Sequence, residues 1–152
     1  MRLKRIYIEI TNTCNLSCSF CIQNQRAPRR MNAQEFRHVI QEIRPFTKYV
    51  YLHVLGEPLS HPNLKEFLNI CEEFDLYVNL TTNGTLLKQA RDVLINSRLR
   101  QVNVSLHSFP EHEQPQYLEH VFAVCEELAQ KGIHISYRLW SVQNGRLSKE
   151  SA

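Results

Sequence analysis

The sequence predicts an α/β fold built on a parallel sheet, and two observations carry this. Five strand-like runs alternate with four helical patterns along the 152 residues, and each connection between consecutive runs is long enough to hold a helix. Parallel strands need such crossovers, which are right-handed in nearly all proteins. A doubly wound sheet and a sheet curved toward a barrel both satisfy the pattern. With 43% hydrophobic residues and only four glycines, the chain carries apolar side chains for one core, read as a single domain over residues 1–152 or a piece of one.

Each element has its own local reason. Lys4 to Ile10 alternates with period two, and Tyr49 to Leu55 is a β-branched and aromatic run bounded by Gly56 and Pro58. Further strands are expected at Leu76–Thr82, Gln101–His107 and Ile133–Trp140. Asn32 with Glu35 three residues on is a capping box, and Phe36, Val39, Ile40 and Ile43 follow on one helical face, with Pro45 as a stop. Leu64, Phe67, Leu68, Cys71 and Phe74 mark a second helix, and Leu86, Leu87, Ala90, Val93 and Leu94 a third. A fourth runs through Tyr117, Leu118, Val121, Phe122, Cys125 and Leu128 to Gly132. The tail from Ser141 reads as a Gly-containing loop followed by the first turn of another helix.

Charge decides little: 18 basic against 15 acidic residues give +3, with no dense basic stripe, so nucleic acid is not indicated. No run approaches the roughly 18 apolar residues of a membrane span, and Met1-Arg2-Leu3-Lys4-Arg5 leads into a strand pattern and not a signal segment. The expectation is a soluble, cytoplasmic protein. Five cysteines is an odd number, and Cys14, Cys18 and Cys21 fall within eight residues, which points to a reducing compartment and to metal.

The spacing Cys-x3-Cys-x2-Cys lets one loop wrap three thiolates around a soft metal centre. Structural zinc normally takes four protein ligands, whereas a [4Fe-4S] cluster held by three leaves one iron open to an exogenous ligand. A zinc site completed by His38, His53, His61 or His107, and plain thiols, are the competing readings. Cys71 and Cys125 sit in apolar helical stripes and read as small buried hydrophobes.

Cys14-x3-Cys18-x2-Cys21, with Phe20 before the last cysteine and Glu9-Ile10-Thr11 closing the strand before it, resembles the signature of the radical S-adenosylmethionine (SAM) enzymes. Gly56-Glu57-Pro58 resembles the family's Gly-Glu-Pro motif, Thr81-Thr82-Asn83-Gly84 its Thr-Asn-Gly turn, and Val104-Ser105-Leu106-His107 its fourth-strand serine. The resemblance implies a parallel-stranded partial (βα) barrel, here about five of six β-α units. It also implies a [4Fe-4S] cluster on the three cysteines, and SAM on the free iron cleaved reductively to methionine and a 5′-deoxyadenosyl radical. Gly56 and Glu57 would then serve the methionyl nitrogen, Ser105 and Arg138 the carboxylate or ribose, Asn83 the ribose side, and the Phe20 backbone the adenine. It further implies an electron donor such as flavodoxin or ferredoxin and a small-molecule or peptide substrate, with no catalytic side chain identified. The alternative is a zinc- or cluster-binding module without catalysis.

The sequence departs from the family pattern in Ile22, where relatives often have proline, and in His107, where they often have aspartate. Five strands are countable where the family has six, and no carboxyl-terminal domain for auxiliary clusters is recognisable. His53, His107, Tyr51 and Trp140 are further candidates to face a substrate, each equally readable as an ordinary core group. Arg26, Arg29 and Arg30 either attract an acidic substrate or form a solvated loop.

Overall fold

The computed structural model describes residues 3–18, 20–22, 25–108 and 116–139, with the backbone alone of 142–143 and 146–147. Trp140 and residues 148–152 lie outside the described residues, as does any helical turn expected there.

Strands β1 (Ile6–Tyr7), β2 (Tyr49–Tyr51), β3 (Tyr77–Thr82), β4 (Leu99–Ser105) and β5 (His134–Arg138) form one parallel sheet in sequential order. Helices α1 (Ala33–Ile43), α2 (Leu64–Glu73), α3 (Leu87–Ile95) and α4 (Tyr117–Gln130) supply the crossovers. A doubly wound sheet reverses its strand order at a switch point. This one never reverses, so right-handed crossovers stack every helix on one face and the sheet is a partial barrel. None of the described helices is long and apolar enough to cross a membrane.

Side-chain chemistry separates the two faces. Ile8, Ile10, Val50, Leu52, Val78, Leu80, Val102 and Val104 are buried and pack with Phe36, Ile40, Phe67, Leu68, Leu87, Leu94, Val121 and Leu128 of the helices. Cys71 and Cys125 lie in this core, as expected of small hydrophobes. On the opposite face the register aligns Tyr7, Tyr51, Asn79, Gln101 and His134 in one row across all five strands. Thr81, Asn103 and Ser136 form the next row, and Ser105 pairs with Arg138 above it. The barrel interior is therefore hydrogen-bonding, not greasy.

The capping box forms as expected: the Asn32 side chain accepts from Glu35 N at 2.9 Å and Glu35 accepts from Asn32 N at 2.8 Å. Several boundaries differ from the sequence pattern: the second strand ends at Tyr51 and not Leu55, the fourth begins at Leu99 and not Gln101, the third and fifth begin one residue later than expected, and the fifth ends at Arg138. The first strand shrinks from Lys4–Ile10 to Ile6–Tyr7; beyond it Ile8 N still bonds Tyr51 O, and the Leu55 amide bonds the Glu9 side chain instead of a backbone carbonyl. Leu106 and His107 leave the sheet in a 3-10 turn, Leu106–Ser108. In the tail, β6 (Val142–Gln143) and β7 (Arg146–Leu147) pair antiparallel, so Arg146 and Leu147 are strand and not helix. The sequence Asn144-Gly145 between them is a strong two-residue hairpin signal, and it outweighs the loop-then-helix reading.

Candidate functional site

The carboxyl ends of the strands gather the motif residues. β1 runs into the cysteine loop, whose two ends are tied together at a neck. Thr11 and Arg30 form an isolated antiparallel bridge, Asn12 N donates to Arg29 O at 3.2 Å, and Met31 N donates to Ile10 O at 2.9 Å. The Asn12 side chain locks the neck by donating to Ala27 O (2.9 Å) and accepting from Arg29 N (2.7 Å). Arg26 pairs with Glu9 at 2.7 Å and Arg29 with Glu35 at 2.8 Å, so these two arginines brace the loop.

Cys14, Cys18 and Cys21 are free thiols that line one hollow of about 160 Å³ with Asn12, Leu55 and Gly56. Each leans on a different neighbour. Cys14 Sγ accepts from Leu16 N (3.4 Å) and from the Asn83 amide (3.7 Å), while the Cys18 thiol donates to Ser108 O (3.5 Å) and the Cys21 thiol to Ile22 O (3.8 Å). Among the described residues no three His, Cys, Asp or Glu side chains converge on a single ion position. Burial pushes the Cys14 thiol above its ordinary pKa, against the Leu16 amide and Asn83, which favour the thiolate.

Gly56 lies against the base of this loop. At φ +77°, a Cβ there would stand 2.5 Å from Thr11 O and 2.7 Å from Thr13 O, a clash only glycine avoids. The next amide, Glu57 N, donates to Thr13 O at 2.9 Å. The Glu57 carboxylate points inward and is 2% exposed. It accepts from Leu59 N (2.9 Å), Thr82 Oγ1 (2.8 Å) and Asn83 N (2.8 Å), so it joins the Gly-Glu-Pro turn to the end of β3. Burial raises its pKa and the three donors oppose the rise.

Asn83 is the hub between turn and loop. Its amide donates to Asn15 Oδ1 at 3.0 Å, its Oδ1 accepts from Thr85 N and Oγ1, and its carbonyl accepts from the Tyr117 hydroxyl at 2.7 Å. Ser105 and Arg138 sit side by side at the ends of β4 and β5, and neither side chain has a hydrogen-bond partner among the described residues. His107 bonds the Arg138 carbonyl at 3.0 Å, and the Phe20 ring packs 5.1 Å from it. His53 faces the interior, its Nε2 3.1 Å from Thr81 Oγ1 and its ring edge-on to Tyr7, with Tyr51 6.2 Å away. Desolvation, aided by the charge of Arg138, lowers its pKa to about 4.

The arrangement brings Cys14, Asn83, Gly56 and Glu57 into one bonded unit, and sets Phe20, Cys18, Ser105 and Arg138 around the ends of β4 and β5. Sequence reading missed the neck, Asn15 and Tyr117, which no motif marks. It also missed the polar interior rows, although alternate polar residues in the third, fourth and fifth strands carry that signal.

The profile of the Radical SAM superfamily matches residues 8–142. The chain belongs to the radical SAM superfamily. Members of this enzyme family use a [4Fe-4S] cluster and SAM. Among curated relatives, GTP 3′,8-cyclase of Campylobacter lari is 27% identical over 144 residues, 86% of this chain and 44% of the relative. The tungsten-containing aldehyde ferredoxin oxidoreductase cofactor-modifying protein of Pyrococcus furiosus is 29% identical over 89 residues, 56% of this chain and 25% of the relative. Streptococcus suis SuiB bound to S-adenosylmethionine superposes with a TM-score of 0.74 at 19% identity, covering 94% of this chain and 35% of that one. BtrN in complex with AdoMet and 2-DOIA gives 0.69 at 18%, covering 90% and 56%. The radical SAM chain thus spans less than half the length of these two curated relatives.

Proposed function

We propose that this chain holds a [4Fe-4S] cluster on Cys14, Cys18 and Cys21, and binds SAM across the ends of its strands. The observation that carries the reading is the shared hollow of the three free thiols, backed by Gly56 and bonded through Asn83 to the turn after β3. A donor set of sulfur alone suits iron–sulfur ligation. Around one tetrahedral zinc, thiolates at about 2.3 Å from the metal would lie only about 3.8 Å apart. A cubane instead takes one thiolate on each of three separate irons, which a three-cysteine loop supplies.

Gly56 and Glu57 then serve the methionyl ammonium, Ser105 and Arg138 the carboxylate or ribose, Asn83 the ribose side, and the Phe20 backbone the adenine. Arg138, without an anionic partner among the described residues, is suited to a carboxylate by its planar fork. When bound, cluster and SAM supply reductive cleavage to methionine and a 5′-deoxyadenosyl radical, which takes hydrogen from the substrate. The polar rows on the sheet interior favour a hydrogen-bonding small molecule or peptide as that substrate. Electrons come from a protein donor such as flavodoxin or ferredoxin, in the reducing cytoplasm where free thiols persist.

Anaerobic reconstitution tests the reading. A brown protein with about four irons per chain, a spectrum perturbed by SAM, and 5′-deoxyadenosine after dithionite reduction are expected. Stoichiometric zinc without colour would overturn it in favour of a zinc module. Colour and SAM binding without 5′-deoxyadenosine would leave a cluster-binding module without catalysis.

A further inference from the structure

A second hollow opens at the other end of the barrel interior, where the strands begin. It has about 440 Å³, against about 160 Å³ at the cysteines, and is lined by Leu3, Lys4, Lys48, Tyr49, Tyr51 and Arg100. Among the described residues three cations line it and no carboxylate does.

Arg100 reaches this wall through a defect in the sheet. Val78 pairs with Leu99 and Asn79 with Gln101, so Arg100 is the extra residue of a β-bulge, a device that re-aims a side chain. Its Nη1 donates to Asn79 Oδ1 at 3.1 Å and Gln101 Oε1 at 3.4 Å, and its Cζ lies 5.2 Å from the centre of the Tyr49 ring. All three contacts are neutral. They orient the guanidinium without compensating its charge, and its Nε and Nη2 have no hydrogen bond among the described residues. Lys4 likewise has no carboxylate partner among them. Lys48 pairs with Asp75 at 2.5 Å, but Asp75 also serves Arg98 at 2.6 Å, so one anion is divided between two cations.

Like charges gathered around one concave wall repel one another, and an anion entering that wall relieves the repulsion. Two cations without a carboxylate partner among the described residues, and a third that shares one, match a compact dianion, and a guanidinium fork beside ammonium groups is suited to phosphate oxygens. Tyr49 and Tyr51 offer ring surface beside the cations, which suits a flat apolar group. We infer that this amino-terminal mouth is a binding site for an aromatic phosphate monoester, its phosphate on Lys4, Lys48 and Arg100 and its ring on Tyr49 and Tyr51. The site is independent of the cysteine loop and of the SAM contacts proposed above.

Phenyl phosphate is the probe, titrated calorimetrically into the cluster-loaded full chain, with phenol and inorganic phosphate titrated separately. Saturable binding is expected that weakens with added salt and falls about tenfold or more in Arg100→Gln, which keeps an amide able to bond its neighbours. Ser105→Ala, at the opposite end of the strands, leaves it unchanged. Absence of saturable binding up to about 10 mM overturns the inference. So does equal affinity in Arg100→Gln, or loss of binding in Ser105→Ala. Inorganic phosphate binding as tightly as phenyl phosphate overturns the aromatic half of the assignment.

Discussion

At the scale of single residues, the five cysteines divide by environment. Cys14, Cys18 and Cys21 line a hollow, whereas Cys71 and Cys125 are fully buried among hydrophobes, and burial pushes the Cys71 thiol up to about 12. Alanine at any of the first three is expected to abolish iron retention, measured as iron per chain after anaerobic reconstitution. Cys71→Ala or Cys125→Ala keeps the iron and costs about 1–2 kcal/mol in urea unfolding, as a small core truncation does. His53 makes a different prediction. Folded, it takes up a proton only near pH 4, and unfolded near 6.5, so the unfolded chain binds more protons in between. Stability therefore falls as pH drops from about 6.5 to 4, by up to about 3 kcal/mol from this group. In His53→Leu that part of the urea-midpoint profile is expected to flatten, and an unchanged slope would assign it to other groups. The side chains that sequence named were legible because their motifs are short and local. Tyr117 was not, because it reaches Asn83 from a helix 34 residues away, a contact only the fold creates.

At the scale of elements, helices were easier to anticipate than strand ends. Residues 32 to 43 carry a cap, a stripe and a stop in one continuous segment, and α1 spans Ala33–Ile43. Asn32→Ala removes the bond to Glu35 N and leaves Glu35 without its capping role, for an expected loss of about 1 kcal/mol in thermal or urea unfolding. Strand ends are set by neighbours instead. Beyond β1 the Leu55 amide bonds the Glu9 side chain and not the neighbouring backbone, and the bulge at Arg100 arises from how β4 registers on β3. Neither event leaves a period in the local sequence. The hairpin of β6 and β7 is the opposite case, since Asn144-Gly145 marks it plainly.

At the scale of the whole molecule, the alternation of strands and helices identified the α/β class, and the unreversed strand order makes it a partial barrel. β3 and β4 lie inside the sheet, while β1 and β5 have a sheet neighbour on one side only among the described residues. Amide hydrogen exchange is expected to be slowest at Val78, Leu80, Val102 and Val104 and faster along β5, and uniform protection across the five strands would contradict this. The neck at Thr11 and Arg30 has a wider consequence. Because both strands of the neck are bonded before the thiols are reached, what lies between them can change in length at a closure cost of only about 0.6 kcal/mol per doubling. The barrel thus carries its cysteine segment as a cassette anchored at the neck and at Thr13, Cys14 and Asn15, and exchangeable beyond them. Grafting a foreign cysteine segment beyond those anchors should alter the chemistry on offer while the scaffold beneath it folds as before.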